Sequence, residues 1–285
     1  MLLTMTGVAM IAFAANSLLA RVALSDTAID AASYTAIRLV SGAMALAMLL
    51  AAQRRTKATT GLRGNWPSAF ALFFYAVAFS FAYLRLGAAT GALILFSAVQ
   101  GTMIAHGLLH RDQPTPAELF GLAIAFCAFV YLLLPGLHAP DAFGSLLMIV
   151  AGIAWGAYSL RGRGVTEPLA ETAGNFARTA PICLFLLPFS FVQGHVTAKG
   201  ILLAVASGVV ASGLGYAIWY RALPHLSTTQ AAVVQLTVPV IAAFGAAVFL
   251  SEVITLRLAL ASLFILGGVG LAILSRRRSG FKSRP

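Results

Sequence analysis

The chain has 285 residues, of which 60% are hydrophobic and only 9% are charged. A soluble domain carries roughly 25% charged residues, so this composition excludes a soluble protein and predicts a chain that crosses a membrane several times. The net charge is +11, but the basic residues lie in loops and at the C-terminus, which indicates membrane topology and anionic lipid rather than nucleic acid.

Ten segments hold the ~20 mostly apolar residues that a transmembrane helix needs. They cover residues 2–22, 31–52, 65–86, 89–109, 116–135, 142–161, 172–191, 200–221, 226–249 and 255–274. The first segment has no positively charged start, so we interpret it as a retained helix rather than a signal peptide. Pro135 and Gly136 interrupt the chain at its middle, and only the last ten residues are expected to be disordered.

The distribution of Lys and Arg predicts the orientation of these segments. Ten spans place both termini on one side of the membrane. If that side is the cytoplasm, thirteen basic residues lie inside and four lie outside, apart from Arg38 and Arg178 within the spans. This excess follows the positive-inside rule, whereas nine or eleven spans would move one of the basic clusters outside.

The same pattern occurs twice, about 140 residues apart. Arg38 and Arg178 lie in matching apolar segments, and Asp112 recurs as Glu252. Because each unit holds five spans, an odd number, the two copies must cross the membrane in opposite directions. Such an inverted repeat is typical of secondary transporters, whose site lies between the halves.

We therefore predict an all-α integral membrane protein with ten transmembrane helices, arranged as two inverted five-helix repeats. The first repeat covers residues 1–137 and the second covers residues 141–275. A basic cytoplasmic tail follows at 276–285.

All eight acidic residues fall in loops or at the ends of predicted helices. Carriers coupled to protons or sodium commonly use a carboxylate buried in the membrane, so coupling through Asp or Glu is not expected. An intramembrane aspartyl or metal-dependent enzyme would need Asp pairs or a set of metal ligands. The sequence therefore predicts a protein that is not an enzyme, binds no metal and needs no cofactor.

Aromatic and uncharged polar groups near the predicted midplane form a better candidate site. They lie on segments 1, 3, 4, 6, 8 and 9, which suggests inner helices around a cavity for a moderately apolar solute that forms hydrogen bonds. The predicted substrate-binding residues are Asn16, Tyr75, Phe79, Tyr83, Gln100, Met103, Trp155, Tyr158, Tyr216, Trp219 and Gln235. For each residue taken alone, ordinary packing or anchoring at the interface remains the stronger explanation.

Three further features suggest how such a site would work. His106 is the candidate for proton linkage, although a hydrogen bond to a neighbouring helix explains it equally well. Pro239 removes a backbone hydrogen bond from segment 9, and Gly91 and Gly101 soften segment 4. Bends in these two segments would serve as the gates that alternating access needs.

Arg38 and Arg178 allow two interpretations. A guanidinium in mid-helix costs roughly 2.5–3.5 kcal/mol on insertion scales, which suggests a function such as capture of a substrate carboxylate. Both side chains are also close enough to a helix end to reach the membrane interface. We therefore expect both to be structural, each bracing an outer helix near one face of the membrane.

As an ordered set, these motifs resemble the drug/metabolite transporter superfamily in its ten-helix form with two EamA repeats. The residues that carry the resemblance are Trp155-Gly156, Arg38 and Arg178, Pro239, and Glu252-x-x-Thr255. The resemblance covers roughly residues 3–275. The first repeat departs from the pattern, with Phe13-Ala14 in place of Trp-Gly and Gln100 in place of the proline.

Within the superfamily, the length and the aromatic cavity look most like the YddG-type aromatic amino-acid exporters. The resemblance implies export across a bacterial inner membrane, by alternating access, of small amphipathic metabolites such as aromatic and other neutral amino acids. Export of other metabolites or drugs, and a lipid-handling or flippase-type role, remain alternatives. The expected partners are the small-molecule substrate and the lipid bilayer, and the pattern is compatible with a monomer.

Overall fold

The computed structural model describes most of the chain, and its described residues are 2–54, 61–109, 116–134, 139–186, 188, 195–226, 231 and 234–282. Asp112, Pro135 and Gly136 lie outside them. Nearly all of the described residues are helical, which confirms the all-α class. A single antiparallel bridge joins Ile29 to Val196 within the described part of the chain.

We number the helices in chain order. They are α1 (Leu2–Ser25), α2 (Ala31–Arg54), α3 (Trp66–Tyr83), α4 (Ala88–Leu109), α5 (Pro116–Leu133), α6 (Ala142–Arg161), α7 (Pro168–Ile182), α8 (Ala198–His225), α9 (Thr237–Leu250) and α10 (Leu256–Lys282). Within α8 the stretch Ser207–Leu214 is a π-helix, and Leu223–His225 closes it as a 3₁₀ turn. Further 3₁₀ turns follow α6 at Gly162–Gly164 and α7 at Cys183–Leu186.

Two predicted boundaries are wrong. The seventh helix begins at Pro168 rather than at residue 172, because proline fits the first turn of a helix, where its missing N–H costs little. Its α-helical part ends at Ile182 and continues as the 3₁₀ turn, whereas the predicted end at residue 191 lies outside the described residues. The last helix, α10, continues to Lys282, so most of the tail that was expected to be disordered is helical.

Side-chain caps fix the starts of three helices. Asn65 accepts a hydrogen bond from the backbone N–H of Ser68 at 2.9 Å, which caps α3. Asp141 caps α6 through Gly144 at 2.6 Å. Thr197 caps α8 in the same way, and its hydroxyl also donates to the carbonyl of Ala28 at 2.7 Å. Each cap satisfies a backbone donor that the helix itself leaves unpaired.

Among the described residues, six helices are long and apolar enough to cross a membrane. They are Leu2–Ser25, Ala31–Gln53, Trp66–Tyr83, Ala88–Gly107, Ala142–Arg161 and Ala198–His225. Leu119–Leu133, Thr237–Leu250 and Leu256–Leu271 are apolar but shorter. The chain therefore has the helices of a multi-pass membrane protein.

Contacts between loops divide the molecule into two ends. At the A end, Lys199 contacts Asp26 at 2.8 Å, Arg85 contacts Asp141 at 3.6 Å, and Arg21 contacts Glu252. The exposed Lys199 donates a hydrogen bond to Asp26 and thereby lowers the pKa of that carboxyl. The opposite, B end holds the connections before α3 and after α6. Consecutive helices therefore run in alternating directions.

All ten helices contribute buried residues to one continuous core. Within it α6 packs on α3 and α4, and α1 packs on α8 and α9. α5 packs mainly on α10, and this pair approaches the rest of the bundle along α4. The centre of the core, where α1, α2, α3, α6 and α8 meet, holds most of the predicted site.

Candidate functional site

Aromatic rings from four helices meet at the centre of the bundle. The ring of Trp155 on α6 lies 4.5 Å from that of Tyr216, 5.1 Å from that of Tyr75 and 5.4 Å from that of Phe13. Phe79 packs on Tyr75, with ring centres 5.3 Å apart. We call these five residues the central cluster. All are at least nine-tenths buried.

The central cluster brings together residues that lie about 140 positions apart in the sequence. Phe13 and Trp155, which are in edge-to-face contact, lie 142 residues apart in the sequence. The hydroxyls of Tyr75 and Tyr216 lie 3.0 Å apart, and these residues are separated by 141 positions. Pairs at the repeat spacing therefore touch each other directly.

A hydrogen-bonded network surrounds the two tyrosine hydroxyls. Asn16 donates its side-chain N–H to the Tyr75 hydroxyl at 3.1 Å. The carbonyl oxygen of the Asn16 side chain accepts from Ser207 at 2.6 Å. Because the neighbouring rings exclude water, each of these bonds is stronger than it would be at a surface.

Arg38 lies inside this network, so the expectation that it reaches a membrane face was wrong. The side chain is fully buried, and its Nε donates to Ser212 Oγ at 3.0 Å. Its Nη2 donates to the hydroxyls of Tyr75 at 3.2 Å and Tyr216 at 3.0 Å. The guanidinium also lies over the Phe79 ring, 4.8 Å from its centre. Neutral hydroxyls and ring faces thus hold the charge in the interior.

Glycines bring α2 close enough to α8 for these bonds. A Cβ at Gly208 would collide with the carbonyl of Arg38 and the hydroxyl of Ser41. A Cβ at Gly42 would lie 2.8 Å from the Gly208 carbonyl. The π-helix at Ser207–Leu214 faces this contact and directs two serines towards the network. Such local widening of a helix occurs frequently at functional sites.

The cavity inside the central cluster is nearly closed. Its volume is about 10 Å³, which is room for roughly one water molecule. Its lining consists of Phe13, Asn16, Tyr75, Phe79, Leu95, Phe96, Trp155 and Tyr216. A larger molecule would fit only after these side chains had moved apart.

Three predicted site residues extend the aromatic set beyond the central cluster. Tyr83 is fully buried towards the A end, with its ring 4.7 Å from that of Phe79. Tyr158 stacks on Tyr220 at 5.1 Å towards the B end, and the Tyr220 hydroxyl donates to the Tyr158 carbonyl. Trp219 contacts Phe13 at 5.8 Å. Together with the central cluster they form a continuous aromatic column.

Gln100, Met103, Gln235 and His106 lie apart from this column. Gln235 is buried and donates to the carbonyl of Ala231, with Met103 Sδ 3.9 Å from its amide nitrogen. Gln100 and His106 line a wider apolar groove of about 790 Å³ between α4, α5, α6 and α10. The structure therefore divides the predicted set between two places.

The three predicted hinge residues differ in their surroundings. Pro239 lies in the first turn of α9, and the helix before it is interrupted at Leu236, as expected of an internal proline. Gly91 faces Tyr83, where a Cβ would lie 2.5 Å from the ring, so this glycine permits a close contact. Gly101 has open space around it and lines the groove.

Polar contacts tie the helices together at both ends. At the A end, Glu252 accepts from the backbone N–H of Ala88 at 2.8 Å and pairs with Arg21 at 3.4 Å. Its charge therefore lies at the N-terminus of α4, where the helix dipole favours an anion. At the B end, Arg161 donates to Ser68 at 3.0 Å and Asn65 at 3.1 Å.

Arg178 is at the B end and has different partners from Arg38. Its Nη1 donates to the backbone carbonyls of Arg63 at 2.6 Å and Gly174 at 2.9 Å. The side chain is partly exposed. These bonds hold the chain before α3 against α7 and fit the bracing role that the sequence suggested.

The comparisons with known proteins agree with a transporter. Residues 142–274 match the model of the EamA-like transporter family. The chain belongs to this family. The resemblance is therefore confirmed at the family level, on the strength of residues 142–274.

Relatives of this EamA-like protein come from several bacteria. An uncharacterized protein of Pseudomonas aeruginosa is 50% identical over 274 residues, which are 96% of this chain and 95% of the relative. A "Probable amino-acid metabolite efflux pump" of Salmonella typhimurium is 27% identical, over 67% and 70% of the two chains. A "Probable terminal-alkyne amino-acid exporter" of Streptantibioticus cattleyicolor is 26% identical, over 91% and 88%.

One solved crystal structure has the same fold. It superposes with a TM-score of 0.67 at 20% sequence identity, over 96% of the EamA-like chain and 99% of the solved one. At this identity the likeness concerns the fold alone.

Sequence reasoning missed four residues of the site in this EamA-like transporter. Phe13 was noted only as a departure from the Trp-Gly pattern, although its spacing from Trp155 would have indicated a partner. Ser207 and Ser212 depend on the π-helix, which leaves no signal in hydropathy. The role of Arg38 depends on which side of an apolar helix faces inward.

Proposed function

We propose that this protein exports small amphipathic metabolites, most of all aromatic and other neutral amino acids, across the bacterial inner membrane by alternating access. The observation that carries the proposal is the central cluster, in which Tyr75 and Tyr216 from the two halves share a hydrogen bond. A site between two repeats is where secondary transporters bind their substrates.

Ten transmembrane helices in two inverted repeats are part of the proposal. The alternation of loops between the A and B ends supports it, since an odd number of helices per repeat reverses the second copy. The direct contacts of Phe13 with Trp155 and of Tyr75 with Tyr216 also support it, because equivalent residues meet only near a pseudo-twofold axis. Both termini would lie in the cytoplasm, together with the B end.

The substrate class follows from the lining of the cavity. Rings of Phe13, Phe79 and Trp155 would pack on an aromatic or aliphatic body. Asn16 and the two tyrosine hydroxyls would bond its polar end. Two relatives carry names of amino-acid exporters, which supports amino acids over other solutes.

Transport would require the two ends to open in turn. The Arg21–Glu252 pair closes the A end over α4, and Arg161 with Asn65 and Ser68 closes the B end. The cavity between the two ends has a volume of about 10 Å³. We therefore interpret this conformation as a closed form, which lies between a form open at the A end and a form open at the B end. The break before Pro239 would provide one of the hinges.

Ligand-induced stabilisation tests the proposal most simply. The purified protein would be heated with a panel of amino acids, nucleosides and drugs. A ligand at a hundred times its dissociation constant adds about 2.7 kcal/mol to the free energy of unfolding. We expect aromatic amino acids to raise the melting temperature, and a panel without any stabilising compound would contradict a carrier of such solutes.

Energy coupling requires a separate experiment. No carboxylate belongs to the central cluster, so we expect facilitated transport down the solute gradient. Uptake of L-phenylalanine into proteoliposomes would be measured with and without a pH gradient. Strong acceleration by the gradient would contradict the uncoupled model and direct attention to His106.

A lipid-handling role is the second candidate, because of the apolar groove between α4, α5, α6 and α10. At about 790 Å³ it is large enough for an acyl chain, and its lining is almost wholly apolar. The exchange of a fluorescent phospholipid between the leaflets of proteoliposomes would test this role. Exchange that is faster than in empty vesicles and unaffected by Tyr75→Phe would favour it over amino-acid export.

A further inference from the structure

Arg38 carries a positive charge at the centre of the molecule without an acidic partner. The side chain is fully buried, and it takes part in none of the four ion pairs that the described residues form. Its side-chain hydrogen-bond partners are the neutral hydroxyls of Tyr75, Tyr216 and Ser212. Burying a charge is costly unless an opposite charge accompanies it. The site therefore favours the entry of an anion.

The network around Arg38 also has more hydrogen-bond donors than acceptors. Arg38 Nη1 finds no acceptor among the described residues. The hydroxyls of Tyr75 and Tyr216 have two protons, and the single bond between them uses one. Their oxygens already accept from Arg38 Nη2, and that of Tyr75 accepts from Asn16 as well. The group that would complete this network is a pure acceptor, such as a carboxylate.

The cavity of the central cluster is bordered by the two tyrosines and not by Arg38 itself, which contacts their hydroxyls from outside the described lining. Tyr75, Tyr216 and Asn16 line it, and so does Phe79, whose ring lies against the guanidinium. The carbonyl oxygen of Asn16 is already bonded to Ser207, so this amide offers little to a cationic group. None of the described residues that line the cavity is a carboxylate. The site therefore favours a negatively charged group, and its described lining offers no negative charge that would pair with an ammonium group.

We propose that Arg38, together with the Tyr75 and Tyr216 hydroxyls, binds the carboxylate of the substrate. The inference rests on the proposed export function and narrows its substrate class to small carboxylates with an aromatic or apolar body. The carboxylate is essential and the α-amino group is not. Aromatic acids without an amine are thus ligands, whereas organic cations of the same size are excluded.

Three probes of one shape test this on the wild-type protein, namely L-phenylalanine, 3-phenylpropionate and phenethylamine. We expect 3-phenylpropionate to bind at least as tightly as L-phenylalanine, and phenethylamine to bind at least about tenfold more weakly than either. Isothermal titration in detergent gives all three affinities. Equal or tighter binding of phenethylamine would overturn the carboxylate assignment while leaving the export function intact. No binding by any probe would overturn both.

Variants of the two arginines then test which residue causes the preference for a carboxylate over an amine. Arg38→Gln should remove the preference of 3-phenylpropionate over phenethylamine, and Arg38→Lys should restore part of it. Arg178→Gln is the matched control and should keep the wild-type preference. Because the measured quantity is a ratio of two affinities, a lower yield of folded protein does not affect it. An unchanged ratio in Arg38→Gln would overturn the assignment.

Discussion

Arg38 and Arg178 lie 140 residues apart, at positions that the proposed repeat makes equivalent, yet they meet opposite surroundings. Arg178 lies near the B end and donates to two backbone carbonyls, which are acceptors without donors of their own. Arg38 lies at the centre among hydroxyls that already receive other bonds. Arg178 is held by protein carbonyls and is partly exposed, whereas the buried Arg38 keeps one nitrogen, Nη1, without an acceptor among the described residues.

Under the proposed repeat, the difference illustrates how two copies of one helix can come to serve structure and function separately. A residue copied with its helix keeps its position in the repeat, but its partners come from the rest of the bundle. For Arg38 those partners are supplied by α3 and by the π-helix of α8. For Arg178 they come from the chain before α3 and from α7 itself. The same side chain can thus serve a site in one half and a fold in the other.

The largest effect on stability should come from the packing around Arg38. Trp155→Ala removes a buried side chain that contacts Phe13, Tyr75 and Tyr216. We expect a loss of about 3–5 kcal/mol from the free energy of unfolding, because the cavity can collapse only in part. The melting temperature in detergent measures it. Trp66→Ala, at a half-exposed ring, is the control, and equal losses would mean that the central cluster is not tightly packed.

Arg38→Met should act in the opposite direction. Replacing a buried charge by an apolar group of similar volume is often neutral or stabilising by about 1–4 kcal/mol. Since Arg38 has no acidic partner among the described residues, we expect the melting temperature to hold or rise while ligand binding is lost. A marked fall in the melting temperature would show that Arg38 mainly holds the fold together.

Arg178→Met should show the reverse of that behaviour. It removes two hydrogen bonds to backbone carbonyls, so we expect the free energy of unfolding to fall by about 1–3 kcal/mol. Binding per folded molecule should stay at the wild-type level. The melting temperature and the affinity for L-phenylalanine are the two readouts, and a loss of affinity without a loss of stability would break the comparison.

Sequence reasoning predicted much of this comparison but not its outcome. Hydropathy predicted ten helical segments, and the 140-residue spacing predicts that the two arginines are equivalent. Tyr75, Trp155 and Tyr216 were correctly expected to lie near one another. The position of Arg38 was not predictable, because a helix that is apolar on all sides does not reveal which face meets its neighbours.

The groove residues illustrate the same difficulty. Gln100 lies near the middle of α4 and His106 lies in its last turn, and the sequence gives the position along the helix but no direction around its axis. Their separation from the central cluster depends on how α5 and α10 pack against α4. The serines of the π-helix depend on backbone geometry that hydropathy does not record.

The exposed ion pair between Lys199 and Asp26 should have the smallest effect on stability, and it therefore serves as the reference for the other variants. Lys199 lowers the pKa of Asp26, so the charged carboxylate is favoured in the folded state. Its contribution is present above the ordinary pKa of an aspartate and disappears only as the pH falls through the lowered value. We expect the melting temperature of Asp26→Asn to be nearly the same as that of the wild-type protein at each pH between 5 and 8. A large change in that range would mean that the pair is not simply a solvated contact.

Transport by matched variants tests the central claim most directly. Uptake of labelled L-phenylalanine would be measured in proteoliposomes that contain equal amounts of folded wild-type, Arg38→Gln and Arg178→Gln protein. We expect the initial rate to fall at least about tenfold in Arg38→Gln and to stay at the wild-type level in Arg178→Gln. Equal rates in the two variants, or a larger loss in Arg178→Gln, would contradict a substrate site centred on Arg38.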